Sequence, residues 1–357
     1  MTAPALDVQR LRDLDEDALD AALRAFARDH GAEALPALSA LAAGGERGLR
    51  RAARRALYRL AQRGVAAPAR PGRGPVVESR PERATRAWLS GIDGSGSRAA
   101  WVLFEGGLGG ARLCSLIVND TVGVVDAAGG DITKKRLESE LEALRASQKL
   151  PWVETDPARA LALGAEALAL HRDNGTTPPP AFARWRRLFE DVRVPEPPPA
   201  PAPVDASRVT RGAELLDLPE TAGWFLDPEP VQADALELLE ARQSRLVVSD
   251  QIKAERQAAI VDRVVERELT PAARRLWARR LAEMAWVFEA TGRPELGAIA
   301  RAAAGALADP DAEARHQPFA RGLAQRALEL AGEVATGRIS AADVSRKIAP
   351  SSRATRG

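Results

Sequence analysis

One cysteine, one tyrosine and three histidines in 357 residues leave this chain short of several chemistries. With Cys114 alone no intramolecular disulfide can close, and a thiolate-rich zinc site is excluded. His30, His171 and His316 are far apart, and none has a second ligand at helical spacing. His30 and His171 fall at helix ends, where an imidazolium suits the helix dipole. No apolar run reaches the roughly 18 residues that a membrane-spanning helix needs. Met1 to Leu14 carries acids and lacks an apolar core of signal-peptide length. The expectation is a soluble, intracellular, cytoplasmic chain with no membrane span. Charge of one sign is also lacking overall: 51 basic side chains face 49 acidic ones, for a net of +2. Arginine greatly outnumbers lysine, but heavy Ala, Arg, Gly and Pro usage is what a high-GC genome produces, so the excess by itself carries no function.

What is present is the composition of a globular protein, with 45% hydrophobic and 28% charged residues. The length suggests two or three domains. Trp88 to Ala127 is the only stretch that reads as β-sheet. Apolar runs Ala87–Ile92, Arg98–Glu105, Ala111–Asn119 and Thr121–Asp126 are separated by Asp93-Gly94-Ser95-Gly96-Ser97, Gly106 to Gly110 and Asn119-Asp120. Glycine, Asn and Asp supply the φ > 0 conformations of tight hairpins. Connections this short leave no room for crossover helices, so an antiparallel meander is predicted. Trp101 to Phe104 and Leu116 to Val118 are apolar on consecutive positions, so both faces of the sheet need cover, supplied by the helices that follow.

Residues 1–65 read as three helices: Asp15–His30, Glu33–Ala43 and Glu46–Arg63. The last carries Leu49, Ala53, Ala56 and Leu60 on one face, with Gly64 as its stop. The run Ala34-Leu35-Pro36-Ala37-Leu38-Ser39-Ala40-Leu41 followed by Leu49-Arg50-Arg51-Ala52-Ala53-Arg54-Arg55-Ala56-Leu57 resembles one HEAT repeat over about residues 34–63. That family has a proline in its first helix, a short turn, and a second helix rich in arginine and alanine. The resemblance implies a helical-repeat fold of the kind that binds proteins. Such repeats stack on neighbours to bury their faces.

Residues 66–84 form a Pro/Gly/Arg-rich connection. After the sheet, Asp131 is expected to cap a helix to about Gln148, and Asp156 with Pro157 to start another that runs to Asn174-Gly175. A short helix, Ala181–Phe189, completes a 76–192 α+β domain. Val194–Val204 holds six prolines in eleven residues, a polyproline-type spacer; 193–206 is therefore expected to link separately folding units. Residues 207–336 read as an all-helical domain. Asp227-Pro228, Ser249 or Asp250, Thr270-Pro271, Pro294 and Pro318 open its helices, and Ala290 to Glu295 forms an αα-hairpin turn. A tail, 337–357, includes a short helix at Ala341–Lys347. The fold class is thus α+β, predominantly helical.

No catalytic constellation emerges, so no enzyme activity and no cofactor are expected. Gly94-Ser95-Gly96-Ser97-Arg98-Ala99 fits G-x-G-x-x-A, but a dinucleotide site needs a helix after that string and a strand follows here, so a hairpin turn is the expectation. Cys114 reads as a buried small hydrophobe, and Ser115 lacks a nucleophile-elbow context. Glu138, Glu140 and Glu142 interleave with leucines as a solvated face does. Two features point to binding. Arg50, Arg51, Arg54 and Arg55, with Arg47 and Arg59, lie opposite the apolar face of helix 46–63, where they form either a solvated face or a contact for a partner or phosphate backbone. Residues 1–75 hold 13 basic and 9 acidic side chains, while the rest of the chain has no basic excess. Trp224 and Phe225, between Pro219 and Pro228, form either a loop anchored in the core or a docking element for a protein. The leading expectation is a protein-binding scaffold or adaptor, and the alternative is nucleic-acid or ribosome association through helix 46–63.

Overall fold

The computed structural model describes residues 6–12, 14–44, 46–65, 80–107, 110–147, 150–190, 192, 205–243 and 250–345. The chain divides into two compact units, Met1–Val77 and Glu78–Gly357. Predominantly helical, with a single antiparallel sheet among the described residues, it has the α+β class that the patterning predicts.

In the first unit, α1 (Val8–Arg12), α2 (Glu16–His30), α3 (Leu35–Gly44) and α4 (Arg47–Gln62) surround one core. Asp15 caps α2 through its carboxylate, which accepts from the Ala18 amide at 2.8 Å. Leu19, Leu23 and Ala27 of α2 meet Leu35, Leu38 and Leu41 of α3 and Leu49, Ala53, Ala56 and Leu60 of α4. Leucine at i, i+3 and i+6 of α3 and the 4-3-4 spacing on α4 place one stripe of each helix inward.

The second unit is built on a five-stranded sheet in the order β4-β3-β2-β1-β5, with every pairing antiparallel. Its strands are β1 (Arg80–Ser90), β2 (Ser97–Gly107), β3 (Gly110–Asn119), β4 (Gly123–Ile132) and β5 (Trp152–Thr155). Alternation assigns the faces. Leu89, Val102, Phe104, Cys114 and Leu116 face α6 (Pro157–Asp173) together with Phe182, Trp185 and Phe189. Trp88, Leu103 and Leu113 point the other way, onto Leu137 and Leu141 of α5 (Lys134–Ser147). Both faces are therefore covered by following helices. Trp88 is fully buried, whereas Trp101, its cross-strand neighbour, is half-buried and tilts against Trp152.

Several boundaries differ from those predicted. β4 continues to Ile132, so Asp131 lies in a strand and Thr133 stands before α5, its hydroxyl accepting from the Arg136 amide. The four-residue β5 was not read as a strand, because so short a segment shows no periodicity before the Asp156 cap. β1 starts at Arg80, inside the expected connection, because its first half pairs with β2. Ala181–Phe189 is a 3-10 turn, Pro180–Phe182, followed by α7 (Arg187–Glu190). Asp227-Pro228 makes a turn ahead of the helix it was expected to open. In the tail, Ala341–Val344 is a 3-10 turn, and the rest of the expected helix after Ser345 lies outside the described residues.

The helical remainder comprises α8 (Ala206–Thr210), α9 (Gln232–Gln243), α10 (Asp250–Glu268), α11 (Pro271–Ala290), α12 (Pro294–Ala308) and α13 (Pro318–Ala335). α11 begins as expected, with Thr270 accepting from the Ala273 amide and Pro271 in the first turn. Its Trp277, Leu281, Met284 and Phe288 are all buried. Gly292, at φ +79°, turns the chain into α12.

These helices share a core with the sheet region. Ile92 and Val153 lie in the same apolar cluster as Trp224, Met284 and Phe319. The proline run Val194–Val204 is outside the described residues, but the segments on either side of it, expected to fold separately, belong to one compact unit. They meet at the Ile92 end of the β1–β2 hairpin, whose amide reaches the Met284 sulfur of α11 and whose side chain lies in that helix's cluster.

Candidate functional site

α4 has an apolar stripe facing the core, so its arginines are left on the outside. Arg47, Arg50, Arg51 and Arg54 are exposed and Arg55 and Arg59 are half-buried. Helical spacing sorts them into two rows. Arg51, Arg55 and Arg59, four apart, turn toward α2. Arg51 and Arg55 lie 3.6 and 3.3 Å from Glu16, and Arg55 and Arg59 lie 2.9 and 3.1 Å from Asp20. Glu16 and Asp20 are themselves four apart, so one carboxylate meets each turn of the arginine row. Arg24 holds the Asp20 carboxyl below the usual carboxylate range through its hydrogen bond, with Arg59 and Arg55 adding to the effect against the opposing pull of burial.

The second row is Arg47, Arg50 and Arg54. Among the described residues, no carboxylate lies within ion-pair distance of Arg50 or Arg54. Tyr58, one turn beyond Arg54, is 66% exposed. Both arginine rows, with Tyr58 and Gln62, border an open trough of about 750 Å³ along the helix. The four arginines singled out from the sequence thus share one face but not one situation: Arg51 and Arg55 are neutralised by α2, and Arg50 and Arg54 are not. The acids that divide them went unnoticed in the sequence, although Glu16 and Asp20 at helical spacing were a readable signal.

The other candidate does not hold as a docking loop. Trp224 is fully buried; its indole nitrogen donates to the Ile92 carbonyl at 3.3 Å and its ring packs on Trp277 and Phe319. Phe225 beside it is half-buried. A proline-bounded aromatic pair looks alike in sequence whether it faces solvent or the core, and here the core takes the larger ring.

Polar groups that sequence reasoning missed cluster where α11 meets the sheet. Asp93 closes the β1–β2 turn by accepting from the amides of Ser95 and Ser97 at 2.8 and 2.9 Å. Arg280 donates to the Gly94 carbonyl at 3.0 Å and grips both oxygens of Asp120 at 2.7 and 2.9 Å. Gly96, at φ +85°, leaves room for this contact, since a Cβ there would overlap Asp120 and Arg280. The G-x-G-x-x-A string is therefore a hairpin turn, bound by a guanidinium rather than by a phosphate. One turn along α11, Glu283 lies 2.5 Å from buried Arg98 and 3.0 Å from Arg159, whose guanidinium stacks on Trp286. Burial pushes the Glu283 carboxyl up, but Arg98 and Arg159 outweigh it and hold the group below its ordinary range. The cavity beside this network, about 30 Å³, has room for about one water.

Cys114 is buried and its thiol is pushed up to about 12, so it carries no thiolate near neutral pH. Among the described residues, no group of three His, Cys, Asp or Glu side chains is placed to hold a metal ion, and no helix is long and apolar enough to cross a membrane. No protein-family model matches the chain, and neither a curated protein nor a solved structure matches it.

Proposed function

We propose that this chain is a non-enzymatic, cytoplasmic scaffold or adaptor that binds a protein through its N-terminal helices, with α3 and α4 serving as a HEAT-like hairpin. The observation that carries this reading is the split arginine face of α4. Exposed guanidinium groups that no carboxylate among the described residues neutralises are available to a partner, and arginine is favoured at interfaces for its planar, multidentate donors.

The neighbourhood favours a protein over a nucleic acid. Asp15, Glu16 and Asp17 are exposed at the start of α2, next to the paired arginine row. A phosphate backbone laid across this surface would meet both signs, and each unscreened carboxylate near a phosphate opposes binding. A polypeptide can alternate its own charges to suit a mixed surface. The test is affinity purification of the full chain from native lysate with and without nuclease. Nuclease-resistant partners at stoichiometric yield are expected; loss of the partner set on nuclease treatment would instead identify a nucleic-acid-binding protein.

A further inference from the structure

Resting on that reading, we propose that the outer row Arg47, Arg50 and Arg54 takes a partner helix bearing carboxylates one turn apart. The chain supplies its own template. α2 sets Glu16 and Asp20, four residues apart, against Arg51, Arg55 and Arg59 of α4. The outer row offers a similar but shorter arrangement at positions 47, 50 and 54, i, i+3 and i+7 in place of i, i+4 and i+8, about 10 Å along the same helix. Among the described residues, no carboxylate is paired with Arg50 or Arg54 in the way Glu16 and Asp20 serve the inner row.

Charge spacing matters as much as charge. Carboxylates at i and i+4 of a helix stand about 6 Å apart, matching Arg50 to Arg54, so a partner in the right register satisfies each guanidinium without bending either backbone. Tyr58, the next residue on the row, is exposed and offers a ring at the end of the charged stretch. A leucine or methionine one turn past the last carboxylate would cover it. The partner thus has a stated chemistry: an amphipathic acidic helix with Glu or Asp at i, i+4 and i+7 or i+8, followed by an apolar residue.

The experiment uses the full chain and three labelled probes at about 0.15 M salt: an alanine-rich helical peptide with three glutamates in that register and a terminal leucine, a peptide of equal composition with the glutamates consecutive, and a 20-nucleotide single strand. The registered peptide is expected to bind at least several-fold tighter than the other two. R47Q/R50Q/R54Q, whose changes are on the solvent side, should keep its circular dichroism and bind about tenfold more weakly. R28Q, on α2 away from the row, should bind as the parent does. Equal binding of the two peptides on the parent chain would overturn the register argument, whatever the variants do. Tighter binding of the single strand, or an unchanged triple variant, would overturn the proposal as well. If the row fails while purified partners survive nuclease, the adaptor reading stands and only this surface is wrong.

Discussion

His171 lies at the end of α6 with both ring nitrogens occupied. Its Nε2 faces the Val124 carbonyl at 3.2 Å and its Nδ1 faces the Thr176 hydroxyl at 2.7 Å. A carbonyl oxygen only accepts, so Nε2 carries a proton, and in the neutral ring Nδ1 then accepts from the Thr176 hydroxyl. Burial lowers the pKa from 6.5, with the Val124 contact opposing it. The unfolded chain therefore binds a proton at this position more readily than the folded one. The stabilisation is present above the unfolded value and is lost as pH falls from about 6.5 toward the folded pKa. Urea unfolding between pH 7.5 and 5 should show the parent losing stability more steeply than His171→Gln. Parallel slopes would mean that the ring titrates as freely when folded as when unfolded. At this scale the sequence was legible where a residue's partner is close in the chain. Asp156 and Thr270 cap as their positions foretold. The sequence placed His171 at a helix end but could not show that it is closed in by a strand 47 residues away.

Between elements, the joint of α11 with the sheet carries the greatest electrostatic stakes. The Arg98 side chain is 3% exposed, and besides Glu283 it donates to the Ser90 carbonyl, at 2.6 and 3.2 Å. A buried charge stripped of its counter-charge is far costlier than the pair was beneficial. Glu283→Gln is expected to destabilise the second unit by about 3 kcal/mol, and replacing both side chains with apolar ones of similar volume should recover most of that loss. Chemical denaturation of the single and double variants measures both. A Glu283→Gln cost below about 1 kcal/mol would mean that solvent, not Glu283, balances Arg98. Apolar periodicity located most of these helices and the four long strands, because their stripes repeat over several turns. It missed β5, too short to show a period, and could not pair Arg98 with Glu283 or Arg280 with Asp120, whose separations of 185 and 160 residues leave no local trace. The arginine face of α4 was legible because it is one helix, whereas its division by α2 depended on a second.

At the scale of the molecule, six prolines in eleven residues are a strong sign of a spacer, yet a spacer separates domains only if each side can close its own core. Here the two sides share one apolar cluster. Without the sheet region, the helical remainder loses Ile92 and Val153 from its apolar cluster and the Trp224 indole loses the Ile92 carbonyl. Without α11, the β1–β2 hairpin loses Arg280, the only arginine that holds its turn among the described residues, and Arg98 loses Glu283. Each half separately would expose apolar surface and a buried charge together, and the two penalties together take a large share of the roughly 5–15 kcal/mol that stabilises an ordinary domain. A specific protease site inserted between Pro199 and Ala200 should therefore be cut without releasing either product. The two pieces are expected to co-elute on size exclusion in native buffer and to separate only in denaturant. Residues 207–357 produced alone should lack a cooperative thermal transition. If the cut pieces part in native buffer and each melts cooperatively, the shared core contributes little, and the proline run is the domain boundary that its composition suggests.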